Sequence, residues 1–298
     1  MSKAITKKIE SGIKLSKLDD IYILVKMKLS LMVVISSCLA YLVAAGSDFS
    51  MIVMALLFAG GLAITGAANA VNQVLEREFD AIMERTKLRP VADNRMKSSE
   101  AILISGLLLV FGVLCLGIIH PLAAFLGMAS FILYAFVYTP LKRYSTVSVA
   151  IGAIPGALPV LIGCVAHEGT LTMLGLSLFL IQFLWQFPHF WAISYLSFDD
   201  YNKANFKLLP KNKNGEIDDY LGAYSALYAL MIIPVVVFAG YFGEALNLIS
   251  LAGIVLLTLY YAYRGLMLQW NPTRKTARQL MFSSFFYLPL VLIFYLIG

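Results

Sequence analysis

Charged residues make up only 13% of the 298-residue chain, against 60% hydrophobic residues. An ordinary soluble domain carries about 25% charge, so this shortage excludes a water-soluble globule. The abundance of apolar surface excludes a disordered chain for the opposite reason. Cysteine is also scarce. Cys38, Cys115 and Cys164 are odd in number and lie in apolar stretches, which excludes a disulfide framework. Acidic residues are nearly absent outside a few loops. The first 20 residues are polar and hold Glu10, Asp19 and Asp20 without an apolar core, so no signal peptide is expected there. What remains is an apolar chain of mean hydropathy +0.81, read as one all-α integral membrane domain.

A membrane-crossing helix needs about 20 mostly apolar residues. The charge-free runs are 29–47, 49–75, 101–141, 144–166, 169–198, 220–243, 245–263 and 279–298. The run 101–141 is too long for one crossing and divides at His120-Pro121. Nine spans follow, preceded by an N-terminal segment over 1–24. Loop parity then places all 23 Lys and Arg on one side. Lys3 to Lys28 precede or open the first span. Arg77 to Lys97 follow the second, Lys142 and Arg143 the fourth, Lys203 to Lys213 the sixth, and Arg264 to Arg278 the eighth. The other side has Asp48, His120, His167, Glu168 and Glu244. Positive residues stay inside, so the N-terminus is expected in the cytoplasm and the C-terminus outside, across a bacterial-type plasma membrane. No nucleic-acid partner is expected.

Two loops on the basic side are long and charged, at about 76–99 and 199–219. The first contains Phe79-Asp80 followed by Lys87-Leu88-Arg89-Pro90. The second contains Phe198-Asp199 followed by Lys207-Leu208-Leu209-Pro210. This faint repeat suggests two related halves with a site between them.

Asn72, Glu76 and Asp80 are spaced i, i+4, i+8 and share one face of the helix that continues the second span. The stripe climbs about 12 Å toward the cytoplasmic surface. Carboxylates at that depth are costly unless paired. Hard oxygen ligands on one stripe suit Mg²⁺, which often bridges to substrate phosphates. Arg77, Arg85, Lys87 and Arg89 lie beside them to take phosphate charge. The plain alternative is a solvated helix end with local ion pairs, Glu84 included. In the second loop Asp199 and Asp200 point about 100° apart on a helix, so one of them reaches a shared metal. Asp200 is preferred, Asp199 aligns with Asp80 through the repeat, and the plain alternative is a solvated turn.

Three further segments stand out. Trp185-Gln186-Phe187-Pro188-His189-Phe190-Trp191 places a proline kink and a histidine in the part of the sixth span leading to the second loop. Such residues are functional candidates in a membrane, and the aromatic rings can flank a flat ring or a cation. Lys142 and Arg143 can bind diphosphate or simply set topology. Gly152, Pro155, Gly156, Pro159 and Gly163 prepare the fifth span for close packing or an irregular cavity wall.

The stretch from Asn72 through Glu76 and Asp80 to Thr86 resembles the first acidic motif of UbiA-type intramembrane prenyltransferases. Met83-Glu84-Arg85-Thr86 with Arg89-Pro90, Tyr138 to Arg143, Trp185 to Trp191, and Asp200-Tyr201 resemble the haem-farnesylating branch, the protohaem IX farnesyltransferases. The resemblance runs from about residue 25 to the end. Two departures stand out: Glu76 replaces an aspartate common in the superfamily, and the second loop lacks two acids four apart.

The resemblance implies one nine-helix bundle around a central cavity that opens to the cytoplasmic side, and farnesyl transfer there from farnesyl diphosphate to a vinyl group of haem B. Mg²⁺ and diphosphate would be held by Asn72, Glu76, Asp80 and Asp200, with Asp199 a further ligand. Arg77, Arg85, Lys87, Arg89, Lys142 and Arg143 would clamp diphosphate. His189, Trp191 and Tyr201 would meet haem, His189 ligating iron or orienting the ring. A haem-handling or oxidase-assembly partner is not identified. Two other readings are an aromatic quinone precursor as acceptor, and a transporter. Charged groups gathered at one surface speak against the transporter.

Overall fold

A computed structural model describes residues 15–242 and 246–298. Residues 1–14 of the N-terminal segment and Glu244 lie outside the described residues. Among them are nine helices long and apolar enough to cross a membrane: Met27–Asp48, Met51–Leu75, Ser98–Ile119, Pro121–Leu141, Ser148–Glu168, Met173–Leu196, Leu221–Phe242, Leu248–Trp270 and Arg274–Ile297. The expected division between the third and fourth spans is present. His120 is extended, its Nδ1 accepts from Leu122 N at 3.2 Å, and Pro121 opens the next helix, where its missing N–H costs nothing.

The charge-bounded reading made the last two spans too short. The eighth runs on to Trp270, so Arg264 lies inside it, and the ninth begins at Arg274 with Lys275 and Arg278 in its first turns. Long basic side chains reach the interface from inside a helix, so a charge does not mark the end of a span.

The second span packs on the third, the first on the fifth, the fifth on the sixth, and the sixth and eighth on the ninth. The ninth also touches the first. The fifth is the most enclosed, and its glycines explain why. A Cβ on Gly163 would stand 2.1 Å from the Ser37 carbonyl oxygen, so the first and fifth spans meet backbone to backbone. Pro159 cannot donate to the Pro155 carbonyl, and Ser130 Oγ donates to it instead at 3.2 Å.

Two local irregularities position the charged end of the bundle. A short helix, Lys17–Leu24, turns into the first span through Lys26, whose φ of 47° is left-handed. Asn69 donates to the Val25 carbonyl at 3.3 Å, and Gln73 donates to those of Ile23 and Leu24 at 3.0 and 2.8 Å. Amides of the second span thus satisfy a turn that has no ladder of its own. The fourth span widens into a π-helical stretch at Leu133–Tyr138, a form enriched at functional sites. Thr139 Oγ1 donates back to the Tyr134 carbonyl at 2.8 Å.

Candidate active site

The acidic stripe is buried. Asn72, Glu76 and Asp80 are 1%, 2% and 0% exposed, so neither carboxylate is solvated and each must be paired. Asp80 accepts both its hydrogen bonds from one Arg89 nitrogen, at 2.8 and 2.6 Å. Glu76 is ion-paired with Lys142. Asn72 Oδ1 accepts from Lys26 Nζ at 3.0 Å, and Asn72 Nδ2 donates to Thr139 Oγ1 at 3.1 Å. Three cations therefore face two carboxylates and an amide. Burial, then repulsion from Arg89 and Lys142, holds the Lys26 ammonium well below the ordinary lysine range. Burial lowers Lys142 too, with Glu76 opposing. A surplus of desolvated positive charge is a receptor for an anion.

The second loop roofs this cluster. The Lys142 ammonium lies over the rings of Phe206 and Tyr138, 5.0 and 5.1 Å from their centroids. The Lys207 amide donates to the Lys142 carbonyl at 2.7 Å. Phe79 packs on Phe206 at 5.6 Å. Asp200 accepts from the backbone amides of Glu84 and Arg85 at 3.3 and 3.2 Å, and Arg85 donates to the Tyr201 hydroxyl at 3.2 Å. The two loops thus face each other at one end of the bundle, and Asp200 is the acid that joins them. Asp199 is exposed, with no hydrogen bond or ion pair among the described residues.

The anticipated basic residues separate into groups. Arg89 and Lys142 stand in the cluster. Arg143 borders it, donating to the Leu75 carbonyl at 2.9 Å and lying over the Phe79 ring at 4.1 Å. Arg85 sits at the loop junction. Arg77 is exposed, and Lys87 is ion-paired with Glu84 at 2.5 Å on the surface, as the plain helix-end reading had it. Lys26 and Thr139 were not anticipated. Lys26 looked topogenic because sequence does not reveal that its turn folds under the second span.

His189 and Trp191 face different neighbours. Trp191 packs with Phe187, Tyr224 and Tyr228, in the aromatic cluster that also holds Tyr138, Tyr201 and Phe206. His189 turns to the ninth span, stacked on Trp185 at 4.9 Å with Nδ1 2.6 Å from Ser284 Oγ. Ser284 Oγ also donates to the Met281 carbonyl at 2.5 Å. A hydroxyl has one hydrogen; with that hydrogen on the Met281 carbonyl, Ser284 accepts from His189 Nδ1–H, and the lone pair is left on Nε2. That tautomer suits a metal.

No group of three or more His, Cys, Asp or Glu among the described residues could cage a metal. The oxygen-only donors Asn72, Glu76 and Asp80 nevertheless fit Mg²⁺, which takes one or two carboxylates and completes its shell with water and substrate phosphate.

The family model for UbiA prenyltransferases matches residues 33–288. The chain is 39% identical to the protohaem IX farnesyltransferase of Christiangramia forsetii, over 95% of this chain and 94% of the relative. It is 37% identical to that of Flavobacterium psychrophilum, over 94% of each. Among solved structures, digeranylgeranylglyceryl phosphate synthase shares the fold with a TM-score of 0.77 at 18% identity, covering 95% of this chain and 99% of that one. A UbiA homolog from Archaeoglobus fulgidus bound to GPP and Mg²⁺ has a TM-score of 0.67 at 11% identity, with 93% and 99% covered. A buried oxygen stripe under a basic, aromatic roof and a match over most of its length establish that this chain belongs to the UbiA prenyltransferase family, with protohaem IX farnesyltransferases among its relatives.

Proposed function

We propose that the protein transfers the farnesyl group of farnesyl diphosphate to a vinyl group of haem B, making haem O. The observation that carries the chemistry is the cluster of Lys26, Arg89 and Lys142 against Glu76, Asp80 and Asn72. An incoming diphosphate takes the surplus positive charge, and its carbon–oxygen bond breaks with the electron pair leaving on oxygen. Arg143, over Phe79, and Arg85, at the loop junction, add further positive charge for the diphosphate. Asn72, Glu76 and Asp80 would hold Mg²⁺, with Asp200 alongside; when bound, the ion neutralises charge on the departing diphosphate. Tyr138, Phe187, Trp191 and Phe206 offer ring faces to the allylic cation. The terminal vinyl carbon bonds to the farnesyl C1, water adds at the other vinyl carbon, and a proton is lost. A central apolar cavity holds the farnesyl chain and the porphyrin in register and keeps bulk water out.

The acceptor assignment draws on the names of the relatives. It is supported by His189, whose Nε2 lone pair suits a haem iron. The basic end of the bundle faces the cytoplasm, with the N-terminus inside and the C-terminus outside the plasma membrane. The deciding experiment incubates the purified protein with haem B, farnesyl diphosphate and Mg²⁺ and weighs the product. A porphyrin gaining one farnesyl group and one hydroxyl group is expected. Product from an aromatic quinone precursor alone would overturn the haem assignment.

A further inference from the structure

A concavity lies away from the catalytic cluster. The eighth and ninth spans part along their outer faces to leave a groove of about 370 Å³. Its apolar wall is Leu257, Phe286 and Leu290, and its floor is Tyr261 and Tyr287. The wall faces outward: Phe286 is 68% exposed, and on a membrane-embedded helix that exposure is to lipid.

Arg264 lines the same groove. It lies six residues before Trp270, about 9 Å along the helix, and the exposed indole of Trp270 is the residue type that marks a membrane interface. Arg264 makes no ion pair or hydrogen bond among the described residues, and its Nε is buried without a partner. A guanidinium whose Nε is buried is costly unless an anion meets it, and the described residues supply none.

We propose that this groove binds one acidic phospholipid, an acyl chain lying along Leu257, Phe286 and Leu290 and the phosphodiester meeting Arg264. Basic pockets between spans on the cytoplasmic side suit anionic head groups. One guanidinium matches one phosphodiester. A porphyrin brings two propionates and farnesyl diphosphate a higher charge, and neither finds a second cation among the groove residues. The groove also borders the His189 seam, because the Tyr261 hydroxyl donates to the Trp185 carbonyl at 3.1 Å and its ring stacks on Tyr287 at 5.1 Å. A bound lipid therefore braces the packing behind His189.

The test is native mass spectrometry of the full-length protein titrated with phosphatidylglycerol and with phosphatidylcholine. Wild type should retain one phosphatidylglycerol with about fivefold preference, the worth of one basic residue at an anionic surface. Arg264→Gln should abolish the preference, and Arg264→Lys should keep part of it. Ser283→Phe fills the groove with Arg264 intact and should lose the lipid. Arg278→Gln, at an exposed cation outside the groove, should change nothing. The proposal fails if wild type shows no preference, if Arg264→Gln or Ser283→Phe retains phosphatidylglycerol like wild type, or if Arg278→Gln loses as much. It also fails if haem B displaces the lipid from wild type in equimolar competition. Should Arg264→Gln not insert, Ser283→Phe and the wild-type preference decide.

Discussion

Lys26 reaches across 46 residues of sequence to place its ammonium 3.0 Å from Asn72 Oδ1, and it does so from a left-handed backbone. A non-glycine residue in that region costs of order 1–3 kcal/mol. The strain is held by the amides of Asn69 and Gln73 and puts a cation over the acidic stripe. Lys26→Gly should therefore relieve strain and leave the melting temperature unchanged or raised, while diphosphate release falls at least tenfold, about 1.4 kcal/mol of lost transition-state stabilisation. Thermal unfolding and a diphosphate-release assay on the same preparation check this. A parallel loss of stability and activity would show the lysine to be structural.

The Asp80–Arg89 pair separates folding from chemistry. Removing one partner of a buried pair costs about 3–5 kcal/mol, because the other charge stays desolvated. Arg89→Ala should destabilise by that order. Asp80→Asn with Arg89→Met removes both charges and should recover most of the stability without recovering activity. Chemical unfolding in detergent and product yield together give the comparison. Equal losses in the single and double variants would contradict the pairing.

Asp80→Asn and Glu76→Gln, each alone, keep shape and change charge. Both variants should insert, yet lose Mg²⁺-dependent product by about two orders of magnitude or more. Mass spectrometry of haem-derived product across a Mg²⁺ titration reads the effect. Full activity in both would remove them as ligands.

The stripe and the loops were legible because both are local. The i, i+4, i+8 spacing alone put Asn72, Glu76 and Asp80 on one face, and the charge-free runs gave nine spans. The choice between Asp199 and Asp200 was not legible, since it depends on which acid reaches the amides of residues 84 and 85. Lys26 and Thr139 were missed for the same reason. One needs a turn tucked under the second span, and the other a π-helical stretch that no periodicity announces. Arg264 lies inside the eighth span, where the charge pattern puts a boundary, because a charge does not end a helix.

Gly163 tests the close meeting of the first and fifth spans. A methyl there must displace the Ser37 carbonyl oxygen, 2.1 Å away, which is backbone and cannot rotate aside. Gly163→Ala should cost about 1–3 kcal/mol as overpacking, seen as a lower thermal midpoint. Gly106, whose added Cβ would meet nothing within 4 Å, is the control, and Gly106→Ala should be neutral or slightly stabilising. Equal midpoints for the two variants would mean that the spans do not approach so closely.

Ser284 sets which nitrogen His189 offers. With its hydroxyl hydrogen on the Met281 carbonyl, it accepts from Nδ1–H. Ser284→Ala removes the acceptor and frees the ring to change tautomer or rotate. If Nε2 ligates haem iron, losing this supporting contact should weaken haem binding by about 10–100-fold and shift the Soret band toward that of His189→Ala. Ser284→Thr keeps the hydroxyl and should restore both. A tautomer-setting role predicts a rise in KM for haem at nearly constant KM for farnesyl diphosphate, whereas a general packing defect would raise both. Unchanged haem binding in His189→Ala would remove the histidine as a ligand. Unchanged binding in Ser284→Ala with loss in His189→Ala would keep the ligand and remove the serine's part in it.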